Sequence, residues 1–236
     1  MALPKLNQTP SYELDIPSTK EKIKFRPFLV KEQKILLMAM ETQDEKEILQ
    51  SILNTLNACL LDGYNVNKLK SFDVEYIFLQ LRTKSVGEST KLNFKCTECE
   101  TDNEVIVPIS EVKIVFPEDN VDTIDIGGEY TLKLEYPEFY AMTKSPAPKD
   151  EKQSELLFRM AGMCMHILET PEEQIIFADE TPEAVTEFME SLTTSQFNII
   201  MEFAQNMPVI KYSSIFDCKK CKHHNEYNIQ GMQDFF

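Results

Sequence analysis

The sequence predicts an α+β fold, with helical N- and C-terminal parts around a β-rich middle and a four-cysteine, zinc-ribbon-like site joining both halves. Three observations predict it. Apolar residues recur at helical spacing between Lys31 and Arg82 and again from Leu156 onward. They alternate at strand spacing in the segments between. Two Cys-x-x-Cys pairs, Cys96/Cys99 and Cys218/Cys221, lie far apart in the chain but have flanks that can be laid over each other.

The elements follow in order. Pro4, Pro10, Pro17 and Pro27 disfavour helix in the residues before them, so residues 1–30 form an extended arm. A helix is expected from about Lys31 to Met40. A second runs from Asp44, a plausible N-cap, to Leu61, with Ile48, Leu49, Ile52, Leu53, Leu56 and Leu60 on one stripe and Gly63 ending it. A third covers Phe72 to Arg82.

Short strands are expected beside the first cysteine pair and over Val112–Phe116, Thr123–Ile126 and Tyr130–Glu135, with Gly127-Gly128 as a hairpin turn. Ser145–Asp150 reads as an exposed loop. Leu156, Leu157, Met160, Met163, Cys164 and Ile167 form one helical stripe. Thr170-Pro171-Glu172 and Thr181-Pro182-Glu183 both look like helix starts, and Thr193 to Gln196 has capping-box spacing. Pro208 closes the last helix, and a strand from Val209 to Phe216 leads into the second cysteine pair. The organisation is therefore a single zinc-stapled domain, 1–236: arm 1–30, helical part 31–90, β-rich part 91–136 with the first knuckle, helical part 137–208, and second knuckle with tail 209–236.

Composition excludes several functions. The 236 residues carry a net charge of −15, with 24 basic and 39 acidic side chains interleaved. Phosphate backbones and anionic lipid need clustered Lys and Arg, so neither nucleic acid nor a membrane is an expected partner. No run approaches the length of a membrane helix, and the N-terminus lacks a secretory layout, which points to the cytoplasm, where thiols stay reduced.

That setting decides the cysteines. Phe94-Lys95-Cys96-Thr97-Glu98-Cys99 continues to Asn103-Glu104, and Phe216-Asp217-Cys218-Lys219-Lys220-Cys221 continues to Asn225-Glu226 at the same spacing. Each unit reads as strand, tight knuckle, strand. A two-residue gap lets both thiolates of a pair reach one ion, and two such pairs complete a tetrahedral site. The expected cofactor is one structural Zn²⁺ per chain on Cys96, Cys99, Cys218 and Cys221. A redox Cys-x-x-Cys would occur once, at a helix N-terminus. His223 and His224 read as solvated loop residues, with a ligand role as the lesser alternative. Cys59 and Cys164 sit on apolar stripes and read as core thiols. His166 is assigned to the same helix as Met165.

No catalytic residues are expected. Three His leave little for acid–base work. No phosphate loop, dinucleotide fingerprint, HExxH or nucleophile elbow is present, and no small-molecule substrate is expected. The methionines read mainly as core fill, with an adaptable binding surface as the minority reading.

Three stretches carry a resemblance: Phe25-Arg26-Pro27-Phe28-Leu29-Val30-Lys31-Glu32-Gln33 through Lys34 to Ala39, with Pro17-Ser18-Thr19 before it; Phe72-Asp73-Val74-Glu75-Tyr76 through Arg82 to Glu88; and Gln230-Gly231-Met232-Gln233-Asp234-Phe235-Phe236. Together they resemble the T4-type bacteriophage baseplate protein family involved in assembling the central hub. The resemblance implies a non-enzymatic baseplate hub assembly protein, chaperone or scaffold, with phage baseplate hub proteins as partners, acting in the host bacterial cytoplasm during infection. Its alternative is a permanent structural subunit of the virion baseplate. Arg26-Pro27-Phe28 is expected either to anchor the chain, with Arg26 and Arg82 pairing with acids, or to form a docking edge. Phe235 and Phe236 are expected to pack on the body or enter a partner.

Overall fold

Extended and helical segments alternate in the computed structural model, which describes residues 9–118, 120–144 and 152–231. Seven α-helices and eleven strands are found among the described residues, an α+β arrangement built on antiparallel sheets. Ser145–Asp150, Phe235 and Phe236 lie outside the described residues. The chain divides into two compact units. One comprises residues up to Val115 and from Val209 onward; the other is Phe116–Pro208.

The first unit opens with the hairpin β1 (Tyr12–Asp15) and β2 (Lys22–Phe25), whose register pairs Tyr12 with Phe25. Helix α1 (Val30–Thr42) follows, then α2 (Glu45–Cys59) and α3 (Ser71–Ser85). Asp44 caps α2 by accepting from the N–H groups of Lys46 and Glu47, as its position suggested. This helix stops at Cys59 and not at Leu61, because Leu60 turns extended and bridges to Phe25. Gly63 lies beyond, at φ +69°. Helix α3 buries residues around most of its circumference, including Phe72, Val74, Ile77, Phe78, Leu79 and Leu81, which marks a core helix.

Arg26-Pro27-Phe28 serves as an anchor. Arg26 Nη2 donates to Glu32 Oε1 and to the Ala58 carbonyl, both at 2.9 Å, and its Nη1 donates to the Pro27 carbonyl. Phe28 is buried, and its N–H donates to Ser85 Oγ. Arg82 Nη2 donates to the Thr90 hydroxyl.

After α3 come β3 (Ser89–Lys95) and β4 (Asp102–Pro108), an antiparallel pair with the first knuckle at its tip. Strand β5 (Lys113–Val115) precedes Phe116–Pro208, and the first unit resumes with β10 (Val209–Asp217) and β11 (His224–Gln230). The sheet order is β11-β10-β5, with Val115 opposite Val209. Leu79, Val107, Ile109, Val112, Ile210 and Ile229 form the core beneath both knuckle strand pairs.

The second unit is a four-stranded antiparallel meander, β6 (Thr123–Gly127), β7 (Tyr130–Leu134), β8 (Met165–Glu169) and β9 (Gln174–Ile176), with helices α4 (Phe139–Lys144), α5 (Gln153–Cys164), α6 (Pro182–Ser191) and α7 (Thr194–Gln205). The β6–β7 turn is Gly128-Glu129, both at positive φ, and not Gly127-Gly128, because Gly127 still pairs with Tyr130 as the last residue of β6. Leu132, Ala161, Cys164, Ile200 and Phe203 are among its buried core residues. Gly162 lets α5 approach α6, since a Cβ there would meet Met189 Cε at 3.3 Å.

Two expectations are corrected here. The stripe from Leu156 to Ile167 is not one helix. Cys164 ends α5, and Met165–Glu169 pairs with β7 as β8, placing His166 on a strand, where its Nε2 lies 3.2 Å from Glu135 Oε2. Thr170-Pro171-Glu172 does not start a helix. The Thr170 hydroxyl accepts from the N–H groups of Glu172 and Glu173, but Gln174–Ile176 then pairs with β8. The matching Thr181 does cap α6.

Candidate metal centre

The two knuckles are built alike. In the first, the Cys96 N–H donates to the Thr101 carbonyl and the Glu100 N–H to the Cys96 carbonyl, both at 2.9 Å. In the second, the Cys218 N–H donates to the His223 carbonyl at 2.9 Å and the Lys222 N–H to the Cys218 carbonyl at 3.0 Å. The residue after each second cysteine is left-handed, Glu100 at φ 54° and Lys222 at φ 60°. Each strand pair therefore turns tightly enough to aim two sulfurs the same way.

The core brings the turns together. Phe94, two residues before Cys96, stacks on Phe216, two residues before Cys218, with centroids 6.0 Å apart. Tyr227 lies 4.8 Å from Phe94, and its hydroxyl donates to the Lys95 carbonyl. The four Sγ atoms all lie within 4.8 Å of one another. Cys96 to Cys221 and Cys99 to Cys218 are each 3.6 Å, too long for a disulfide at about 2.05 Å. A tetrahedron of thiolates about 2.3 Å from an ion has edges of about 3.8 Å. The donor set thus fits a metal ion, and these cysteines are the group among the described residues that could hold one.

Hydrogen bonds and neighbouring sulfurs move the thiols of the cluster in opposite directions. Backbone N–H groups at Cys221 and Lys220 and the neighbouring sulfurs hold the Cys218 thiol down to about 6, against burial. Hydrogen bonding from Thr101 lowers Cys99. The His223 N–H favours the Cys221 thiolate, yet the adjacent sulfurs and burial push that thiol up to about 12. Four thiolates this close would repel, and a divalent ion among them would offset that repulsion.

Cys96 and Cys218 are buried and Cys221 is exposed, so the centre sits at the surface tip of the strand pairs. Exposed Glu98, Glu100 and Asp102 flank the first knuckle, and exposed Lys219, Lys220 and Lys222 the second. His224 is exposed, its Nδ1 2.9 Å from Asp217 Oδ1. Cys59 and Cys164 are fully buried outside the cluster, and burial raises the Cys59 thiol to about 11.

A second feature has no counterpart among the sequence expectations. Helix α1 buries Glu32 and Ala39 and turns large apolar side chains outward: Val30 is 80% exposed, Ile35 52%, Leu37 54% and Met38 56%. Four consecutive apolar residues, Ile35 to Met38, sweep about 300° of a helix, so some must face away from any single core. That run was the available signal.

Residues 9–236 match the model of the family described as T4 bacteriophage base plate protein. No curated protein and no solved structure matches the chain.

Proposed function

The chain belongs to the T4 bacteriophage base plate protein family, and from that premise we propose that it is a non-enzymatic assembly protein, a chaperone or scaffold for components of the baseplate hub. Other baseplate proteins are the partners the family suggests. The work is done in the host bacterial cytoplasm during infection. No helix among the described residues is long and apolar enough to cross a membrane.

The observation that carries this reading is the outward apolar face of α1. Exposing several large apolar side chains on one helix forfeits burial energy that a partner recovers. Exposed Lys31, Lys34 and Glu41 interrupt the row. A partly polar contact of that kind suits an encounter that must later be released.

The cysteine cluster has a supporting role. Cys96, Cys99, Cys218 and Cys221 hold one Zn²⁺, whose closed thiolate shell leaves no position for a substrate. The ion ties the strands before Phe116–Pro208 to the strands after it, as the staple of a single folded chain.

The same α1 face favours a second reading, a permanent structural subunit whose apolar row stays covered in the virion. Quantitative mass spectrometry separates the two. An assembly chaperone is found with hub components in infected-cell lysate and is absent or far substoichiometric in purified virions. A fixed integer copy number per virion moves the assignment to the structural subunit.

A further inference from the structure

Two asparagines cross the metal centre in opposite directions. Asn103 follows Cys99 by four residues on β4, and Asn225 follows Cys221 by four on β11. Asn103 Oδ1 accepts the Lys219 N–H at 2.9 Å, the residue just after Cys218, and its Nδ2 reaches Cys218 Sγ at 3.9 Å. Asn225 Oδ1 accepts the Thr97 N–H at 3.0 Å, the residue just after Cys96, and its Nδ2 reaches Cys96 Sγ at 3.6 Å. Each amide is also pinned by its own turn, Asn103 Nδ2 to the Thr101 carbonyl at 2.7 Å and Asn225 Nδ2 to the His223 carbonyl at 2.8 Å. The arrangement is reciprocal: each knuckle fixes an asparagine that holds the opposite knuckle's first cysteine.

Both side chains are buried, at 4% and 1% exposure. A buried amide is costly unless its donors and acceptor are satisfied, and here each is used across the site. An amide N–H directed at a thiolate delocalises its charge and fixes its direction. A donor that hydrogen-bonds a ligating sulfur orients it and tunes the ion it holds.

We infer that Asn103 and Asn225 are positioning residues of the metal centre, each setting the orientation of the first cysteine in the opposite turn and stabilising its ligating thiolate. This rests on the reading of the cysteine cluster as a metal site. It also explains why Asn recurs at the same place in both flanks. Only a side chain with an acceptor and a donor on one planar group can take the backbone N–H and face the sulfur together. Glu104 and Glu226, which recur beside the asparagines, are exposed.

The test uses the full chain with Zn²⁺ and Co²⁺ as probes. Wild-type protein binding about one Co²⁺ with thiolate charge-transfer bands secures the site itself. Asn103→Ala and Asn225→Ala are each expected to weaken Zn²⁺ binding by about 10- to 100-fold in chelator competition and to shift the cobalt ligand-field bands. The larger effect is expected for Asn225→Ala, whose amide is nearer its sulfur and also accepts from the Thr97 hydroxyl at 3.0 Å. Asn103→Asp and Asn225→Asp keep the acceptor for the backbone N–H and lose the donor to sulfur, so they should also weaken binding while retaining the fold.

A second measurement needs no variant. In the ¹¹³Cd-loaded wild type, scalar coupling should appear between cadmium and the side-chain amide protons of Asn103 and Asn225. Folded variants with unchanged affinity and spectra, or absence of coupling to both amides, would overturn the assignment. A wild type that binds no metal overturns the metal reading itself, and the positioning role with it.

Discussion

Asp73 on α3 accepts two hydrogen bonds from Ser18, at 2.9 Å from its N–H and 2.6 Å from its hydroxyl, fastening the arm to a helix 55 residues away. Asp73 is fully buried and also accepts the Lys70 N–H at 3.0 Å. Asp73→Ala leaves those donors without their acceptor and should cost about 2–4 kcal/mol, while Ser18→Ala should cost about 0.5–1.5 kcal/mol. Urea denaturation measures both. Hydrogen exchange in β1 and β2 should accelerate in Asp73→Ala, and unchanged protection there would refute the fastening role.

Protein purified without chelator should contain about one equivalent of zinc, by the tetrathiolate stoichiometry. Removing it with excess chelator, or introducing Cys218→Ser, should lower the melting temperature by on the order of 10 °C. A metal-free protein with a Cys96–Cys99 disulfide, by elemental analysis and mass spectrometry, contradicts this.

Glu32 gives the fold an acid limit. Burial raises its carboxyl, but the Arg26 hydrogen bond, the Leu29 N–H and the Arg26 charge together hold it below the ordinary value of 4.5. A depressed carboxyl means the unfolded chain binds the proton more readily, so stability falls with pH. The contribution is fully present above about pH 4.5 and is lost as pH drops through the lower, folded-state value. Glu32→Gln should cost about 1–3 kcal/mol at neutral pH and show a shallower decline on acidification. Parallel wild-type and variant pH profiles would rule this out.

Leu37→Glu and Met38→Glu place charge on the outward face of α1. Because both positions are exposed, stability should change by no more than about 0.5 kcal/mol. Recruitment of hub components from infected-cell lysate should fall by about tenfold or more. Undiminished recruitment by the folded variants would remove α1 from the docking surface.

The helices of the first unit were legible because period and caps agree: Asp44 caps α2 in the structure as its position in the chain suggests. The two Thr-Pro-Glu segments show where legibility ends. Thr170 and Thr181 both accept N–H groups from the residues just after them. After Thr181, Val185 and Phe188 continue at helical spacing and pack in the second unit's core. After Thr170, Ile175 and Ile176 are taken by β8, a pairing that local sequence does not encode.

The coming together of the four cysteines was legible from spacing, and so was the recurrence of Asn. Its crossing to the opposite turn was not, since nothing local specifies which backbone N–H a buried amide will meet. The α1 face was hidden for a different reason. A contiguous apolar run gives no direction, and the helix spends its buried side on Glu32 and Ala39.

The pairing of Val115 with Val209 has a consequence for synthesis on the ribosome. Strand β10 and the second knuckle are made about 120 residues after the first knuckle, which at roughly 5–20 residues per second is a delay of about 6–24 s. Residues 116–208 are complete before then, so their unit can fold while the first unit still lacks its closing strands. Through that interval Cys96 and Cys99 lack the second cysteine pair they later meet. Translation order therefore places the closing of this sheet after synthesis of the middle unit, and a chain truncated before Cys218 lacks the second knuckle altogether.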